Sequence, residues 1–373
     1  MNNPLFSPLT LPVSNITLPN RLVMAPMTTY SSMDDGTITS AEVEYLRRRA
    51  AGGFGTILTA ACYTSKAGQG FVGQWGCDDD RHLPSLQRAA EAIKAEGAIA
   101  LLQILDAGRM SDPAVVPVPR APSAVSSGRT GFVEPRAMSH DEIEQTIAEF
   151  AAAARRAVQA GFDGVEIHGA NTYLIQQFFS PHANRRDDQW GGDIERRLRY
   201  PLAVARAVRE AVGDQVVVGY RFSPEEIEQP GITLDDTLVL VDHLAQLKLD
   251  YLHISLWDYA AGSMRDKADL RRRTPLIAQR LNQRIPLISL GNITTVEQAM
   301  LPLDDGADLV GIGRAALWEP EWANNVRNQK PLRQGLPDAD GDIICTIPRP
   351  LYQKILSRRN WVRLESNIHA VKI

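Results

Sequence analysis

Eight short apolar runs recur along the chain, and a segment of helical period or loop character separates each from the next. They are Leu22–Ala25, Thr56–Ala60, Ile99–Ile104, Gly164–His168, Val216–Arg221, Tyr251–Ser255, Pro286–Leu290 and Asp308–Gly311. Several are continuously apolar rather than alternating, the pattern of parallel strands covered on both faces. Helix starts between them are marked. Thr39 with Glu42 and Ser139 with Glu142 each fit a capping box, in which the two side chains satisfy backbone donors that the first turn leaves free. The second box opens a helix carrying Ile143, Ile147, Phe150, Ala151, Ala154 and Val158 on one stripe, with Gly161 placed for a left-handed C-cap. Eight strand–helix units in one chain favour an α/β fold of the (β/α)8 TIM-barrel type over an open doubly wound sheet. No linker-like or low-complexity break interrupts the 373 residues, so 1–373 is expected to be a single domain with 323–373 as a C-terminal extension. The longest irregular stretch, about Ala107–Arg136, follows the third strand and is expected to cover the barrel mouth.

Charge and cysteines narrow the function classes. A net charge of −4 offers nothing to a nucleic acid or an anionic membrane. The first residues, Met1-Asn2-Asn3-Pro4-Leu5, carry neither a basic n-region nor an apolar h-region, and no apolar run approaches the roughly 18 residues needed to span a bilayer. Cys62, Cys77 and Cys345 are odd in number and follow no ligand spacing, as in a reducing, cytoplasmic setting.

In a barrel of this kind, catalytic groups come from the C-terminal strand ends and the loops after them. Those ends supply Pro26, Met27 and Thr28, then Ala60, Gln103, and His168 with Asn171 and Tyr173. Arg221 closes the fifth strand, Gly291 and Asn292 follow the seventh, and Gly313 and Arg314 follow the eighth. Arg221 has a plainer alternative, an ion pair with a carboxylate such as Glu225. His168 and Asn171 are hydrogen-bond donors that could grip a carbonyl oxygen, and Tyr173 is a phenol beside them. The loops after strands seven and eight commonly form a phosphate site, where bare glycine N–H groups approach the oxygens and an arginine adds a charge-assisted contact. Gly311-Ile312-Gly313-Arg314 imitates a dinucleotide fingerprint, but no second strand follows it, so a mononucleotide phosphate fits better. No lysine stands at a strand end for a Schiff base, no His-x-His or His-Glu-x-x-His pair suggests a metal, and no Gly-x-Ser-x-Gly elbow is present. What remains suits a flavin mononucleotide (FMN) enzyme, with Arg221 opposite the negative end of a reduced isoalloxazine and Gln103 and Thr28 at the ring edge.

Seven motifs in collinear order carry a resemblance to the old yellow enzyme family of flavin-dependent ene-reductases. They include Asn20-Arg21-Leu22-Val23-Met24-Ala25-Pro26-Met27-Thr28, Gln103 to Arg109, Ala121-Pro122-Ser123-Ala124, and Gly161 to His168 running on through Asn171 and Tyr173 to Pro181. Asn184 to Gly192 with Glu195-Arg196-Arg197, then Gly219 to Pro224, and Gly311 to Arg314 complete the set. The resemblance implies bound FMN, NAD(P)H as reductant, and small α,β-unsaturated carbonyl compounds (enones and enals) as substrates. It implies that His168 and Asn171 hold the carbonyl oxygen and that Tyr173 protonates the α-carbon opposite the face receiving hydride. Pro26, Met27, Thr28, Ala60, Gln103 and Arg221 would line the flavin, and Gly291, Asn292, Gly313 and Arg314 its phosphate. Tyr30 would add a second phenol to the substrate pocket or serve as a core aromatic. No metal, membrane or nucleic-acid partner is implied, and a homo-oligomer is compatible.

The chain departs from the family pattern at particular places. Asp106 stands where histidine is usual, Thr172 replaces a glycine and so is expected to avoid positive φ, and Asn292 replaces another glycine. Arg358, Arg359 and Arg363 lie in a tail that in some relatives reaches a neighbouring subunit's site; a solvated basic face is the simpler expectation. Glu166 receives no role. A dienoyl-CoA-reductase-like enzyme, which would need clustered cysteines and a second nucleotide domain, and a non-catalytic flavin sensor are the alternatives.

Overall fold

The computed structural model describes residues 3–358 and 361–366. Eight parallel strands form a closed barrel: β1 (Leu22–Met24), β2 (Thr56–Leu58), β3 (Ile99–Leu105), β4 (Gly164–Gly169), β5 (Val217–Phe222), β6 (Tyr251–Ile254), β7 (Leu287–Leu290) and β8 (Leu309–Ile312). Each pairs with the next, β8 pairs with β1, and β2 pairs with β3, so no edge is left open. The sequence-read strands coincide with these to within two residues at nearly every end. Around them run α1 (Ser40–Ala51), α2 (Leu83–Lys94), α3 (His140–Gln159), the short α4 (Leu174–Phe179), α5 (Ile194–Val212), α6 (Leu234–Leu244), α7 (Arg273–Leu281) and α8 (Val296–Asp304). After β8 come α9 (Ala315–Trp318), α10 (Trp322–Arg327), α11 (Gly341–Ile344) and α12 (Arg349–Ser357). No helix among the described residues is long and apolar enough to cross a membrane.

Both capping boxes form, at Thr39–Glu42 and Ser139–Glu142. Gly161 closes α3 at φ +88°, with Gly161 N–H on Val158 O and Phe162 N–H on Ala157 O, the paired bonds of a Schellman end.

Inside the barrel the alternation of strand side chains decides what the interior holds. The floor is apolar: Val23, Leu58, Leu101, Val217, Tyr251, Ile288 and Leu309 pack together, and Leu11 and Leu18 from an N-terminal hairpin plug them from below. Gly219 is required here, because a Cβ would sit 2.0 Å from the Tyr251 ring that crosses it. Two positions further along β4, the same inward face turns polar with Glu166 and His168.

None of residues 107–136 lines the main cavity, although Ala107 and Met110 at the start of this segment pack against Tyr173. Arginines anchor the segment. Arg120 Nη2 binds Asp106 Oδ2 and Glu149 Oε2, both at 2.9 Å, and Arg186 binds the carbonyls of Pro122 and Met138. Asp106 is therefore a buried brace rather than a rim group; its backbone oxygen also accepts the Leu174 N–H at the start of α4.

Arg49 ties the C-terminal segment to α1. Its buried guanidinium lies 3.6 Å from the Tyr45 ring centroid and donates to the carbonyls of Tyr45, Ala316, Leu317, Cys345 and Thr346. Removing it strands several buried acceptors at once. Arg49→Leu is expected to cost about 3 kcal/mol in urea unfolding and to expose the segment beyond α10 to protease under native conditions. An unchanged urea midpoint would contradict this anchoring.

Candidate active site

One cavity of about 770 Å³ opens at the C-terminal ends of the strands, a size suited to a cofactor with a small substrate. Pro26, Met27, Thr28, Tyr30, Gln103, His168, Asn171, Tyr173, Arg221, Gly291, Asn292, Gly313 and Arg314 all line it. Ala60 does not: β2 ends at Leu58, Ala60 turns into the helix-facing core, and Ala61 takes the place on the wall.

His168 is buried at the inward end of β4. The Ala170 N–H donates to its Nδ1 at 3.2 Å, so the neutral ring carries its proton on Nε2, available as a donor. Burial, with the Arg221 charge and His253 acting the same way, holds His168 well below the ordinary histidine range. The ring meets Tyr173 edge-on at 5.0 Å between centroids. Burial and nearby Tyr30 raise the Tyr173 phenol above its usual value, against Arg129 and Arg221. It stays protonated at neutral pH and keeps a proton to give.

Asn171 and Tyr173 are set by a tight turn that runs against expectation. Asn171 and Thr172 take φ +56° and +66°, so Thr172 occupies the left-handed conformation it was expected to avoid. A β-branched residue is costly there, by roughly 1–2 kcal/mol. Hydrogen bonds on both sides hold the turn: Asn171 N–H to Ser223 Oγ at 2.9 Å, Thr172 N–H to Gln176 Oε1 at 3.0 Å, and Gln177 Nε2 to Thr172 O at 2.7 Å.

Ser255, one residue past β6, is a site residue that the sequence reading passed over. Its Oγ accepts from Arg221 Nη2 at 3.0 Å and from Asn171 Nδ2 at 3.1 Å, with Asn171 Oδ1 3.2 Å away. An amide NH2 carries two protons, so one that is not given to Ser255 is left for a ligand. Arg221 does not pair with Glu225, which instead binds Ser263, the Met264 N–H and Arg273.

Glu42 does more than cap α1. Buried, it accepts from Thr29 Oγ1 at 2.5 Å and Trp75 Nε1 at 2.7 Å, fixing the loop that presents Thr28 and Tyr30. From the other side the C-terminal segment approaches in its own chain. Lys354 Nζ and the Arg358 guanidinium lie 5.4 and 5.9 Å from the Tyr30 ring, and Trp361 lines the cavity. Arg363 is exposed, and Arg359 lies outside the described residues.

The residues fit FMN on two observations. Arg221 Nε is buried at the cavity without a partner among the described residues, a donor awaiting an acceptor. At the other end Gly313 meets nothing nearer than 3.8 Å where a Cβ would be, so its backbone is bare toward the cavity. Gly291 is required by its φ of +138° and by Tyr259 N, 2.4 Å from where a Cβ would stand. Arg314 Nη2 binds Asn292 Oδ1 at 3.0 Å, which shows how the side chain replacing glycine is accommodated.

Burial also lowers His253, against Glu166. With His168 this gives a pH dependence. Both histidines are neutral in the folded protein, but in the unfolded chain they bind protons below about 6.5. The unfolded state then binds more protons, so stability is lost as pH falls from about 6.5 toward the folded values. The urea midpoint is expected to be lower at pH 5.0 than at pH 7.5; equal midpoints would count against buried neutral histidines.

The chain is similar to known flavin oxidoreductases. Residues 4–333 match the NADH:flavin oxidoreductase / NADH oxidase family. The chain is 44% identical to the NADH:fumarate oxidoreductase of Klebsiella pneumoniae (strain 342) over 94% of its own length, but spans only 39% of that protein. It is 40% identical to the probable NADH-dependent flavin oxidoreductase YqiG of Bacillus subtilis (strain 168), covering 96% of this chain and 97% of the other. The old yellow enzyme homologue from Zymomonas mobilis superposes with a TM-score of 0.79 at 28% identity, over 88% of this chain and 94% of that one. The chain belongs to the NADH:flavin oxidoreductase / NADH oxidase family, the FMN- and NAD(P)H-dependent oxidoreductases of old yellow enzyme type.

Proposed function

We propose that the protein reduces the activated C=C bond of α,β-unsaturated carbonyl compounds, using NAD(P)H. The observation that supports this most is the meeting, in one cavity, of a neutral histidine donor, an amide donor and a protonated phenol. Bound FMN would supply the hydride chemistry, taking hydride from NAD(P)H and giving it to the alkene. Pro26, Met27, Thr28, Gln103 and Arg221 would hold its ring and ribityl chain, and Gly291, Asn292, Gly313 and Arg314 its phosphate. His168 Nε2–H and the Asn171 amide would grip the substrate carbonyl oxygen. As negative charge builds on that oxygen, donors already fixed in place stabilise it more than water could. Tyr173 would give its proton to the α-carbon, a transfer that runs downhill because an enolate is a stronger base at carbon than a phenolate, so a phenol that stays protonated until then suffices. Tyr30 would shape the opposite wall.

The substrate of the longer Klebsiella protein is not carried over, since this chain matches only 39% of it. The test is anaerobic turnover of 2-cyclohexenone by the FMN-loaded protein with NADH and with NADPH. Saturated ketone forming at the rate of nicotinamide oxidation supports the reading. Rapid nicotinamide oxidation in air with no enone reduction would replace it with an oxidase.

A further inference from the structure

Glu166 and His253 are a fully buried ionisable pair that the proposed reaction does not use. They lie on the inward face just beneath the cavity. Glu166 Oε1 accepts from Gln103 Nε2 at 2.7 Å, and Oε2 accepts from Tyr251 Oη at 3.0 Å and His253 Nδ1 at 2.8 Å. A carboxylate only accepts, so the Gln103 amide must turn its NH2 group down toward Glu166. Its carbonyl is then left for the cavity that Gln103 lines. Without Glu166 the amide could present either end.

The second consequence is electrostatic. Burial raises Glu166, but the hydrogen bond from neutral His253, the Arg221 charge and the hydrogen bond from Gln103 together outweigh this and keep it ionised. Arg221 sits between His168 and His253 in the sheet register and, among the described residues, has no carboxylate in direct contact; its Nη2 goes to Ser255 and its Nε has no partner among them. Glu166 is the carboxylate whose field it feels most.

We infer that Glu166 is a positioning residue of the flavin site, fixing the Gln103 carbonyl toward the bound group and offsetting the Arg221 charge so that the flavin is harder to reduce than Arg221 alone would make it. This rests on the reading of the cavity as an FMN site. The test is spectroelectrochemical titration of FMN-loaded Glu166→Gln and Tyr251→Phe beside the unaltered protein. Glu166→Gln keeps the shape and removes the charge. At a fixed solution potential it is expected to raise the ratio of two-electron-reduced to oxidised flavin about tenfold, since a buried unit charge acts over several ångströms at an effective dielectric near 20. Tyr251→Phe removes one hydrogen bond and no charge, and should leave the ratio within about twofold. An unshifted Glu166→Gln, or equal shifts in both variants, overturns the inference. Should Glu166→Gln not fold, Glu166→Asp keeps the charge but withdraws it from Gln103. It should then weaken FMN binding about tenfold with little change in potential, and unaltered binding would overturn the role. Unaltered protein that binds no FMN would refute the flavin reading itself, and the positioning role with it.

Discussion

Tyr173→Phe is expected to slow reduction of a cyclic enone by about 10²–10⁴-fold, the range over which a positioned proton donor acts. The variant removes one oxygen and keeps the ring that packs edge-on against His168, so the cavity should keep its shape. Flavin reduction by nicotinamide needs no proton from this phenol and should persist at a rate close to that of the unaltered protein. Stopped-flow measurement of the two half-reactions separates the cases. If the enone half-reaction survives intact, the proton comes from elsewhere, and Tyr30, which lines the same cavity, becomes the group to replace next.

His168→Leu is expected to lower enone turnover by about 10²–10³-fold, the usual cost of losing one donor to a developing oxyanion. Because the ring is neutral, the loss is that of a fixed N–H dipole rather than of a charge. The effect should therefore change little across neutral pH, where a histidine that worked as a cation would give a titrating profile. FMN binding should be spared, since Arg221, Gln103 and the glycine-lined end of the cavity do not depend on this ring. A variant that lost FMN together with turnover would move His168 from the substrate to the cofactor.

The barrel was legible because its signal is redundant: eight apolar runs separated by capped helices leave few other architectures. The site was legible where residues stand at strand ends, since the fold sends those ends to one rim. What escaped has specific causes. Glu166 was passed over although it lies two residues before His168, and strand alternation puts i and i+2 on one face. Ser255 was missed because the sixth strand was assigned no rim residue. Glu42 was recognised as a cap, but its bonds to Thr29 and Trp75 are long-range and leave no local mark in the sequence. Thr172 was misjudged because propensity argues against positive φ, whereas the bond it donates to Gln176 and the one it accepts from Gln177 hold it there. The loop after β3 was judged by length alone, and its position depends on arginine contacts that length does not encode.

The central claim is that a neutral His168 and Asn171 grip an oxygen above a bound flavin. Titrating the FMN-loaded protein with 4-hydroxybenzaldehyde tests it most directly, because a phenol offers its oxygen to the same donors while its ring lies over the flavin. A long-wavelength charge-transfer band should grow to saturation in the unaltered protein and be lost or much weakened in His168→Leu. A flavin-loaded protein that develops no such band, or a band undiminished in His168→Leu, would contradict the account.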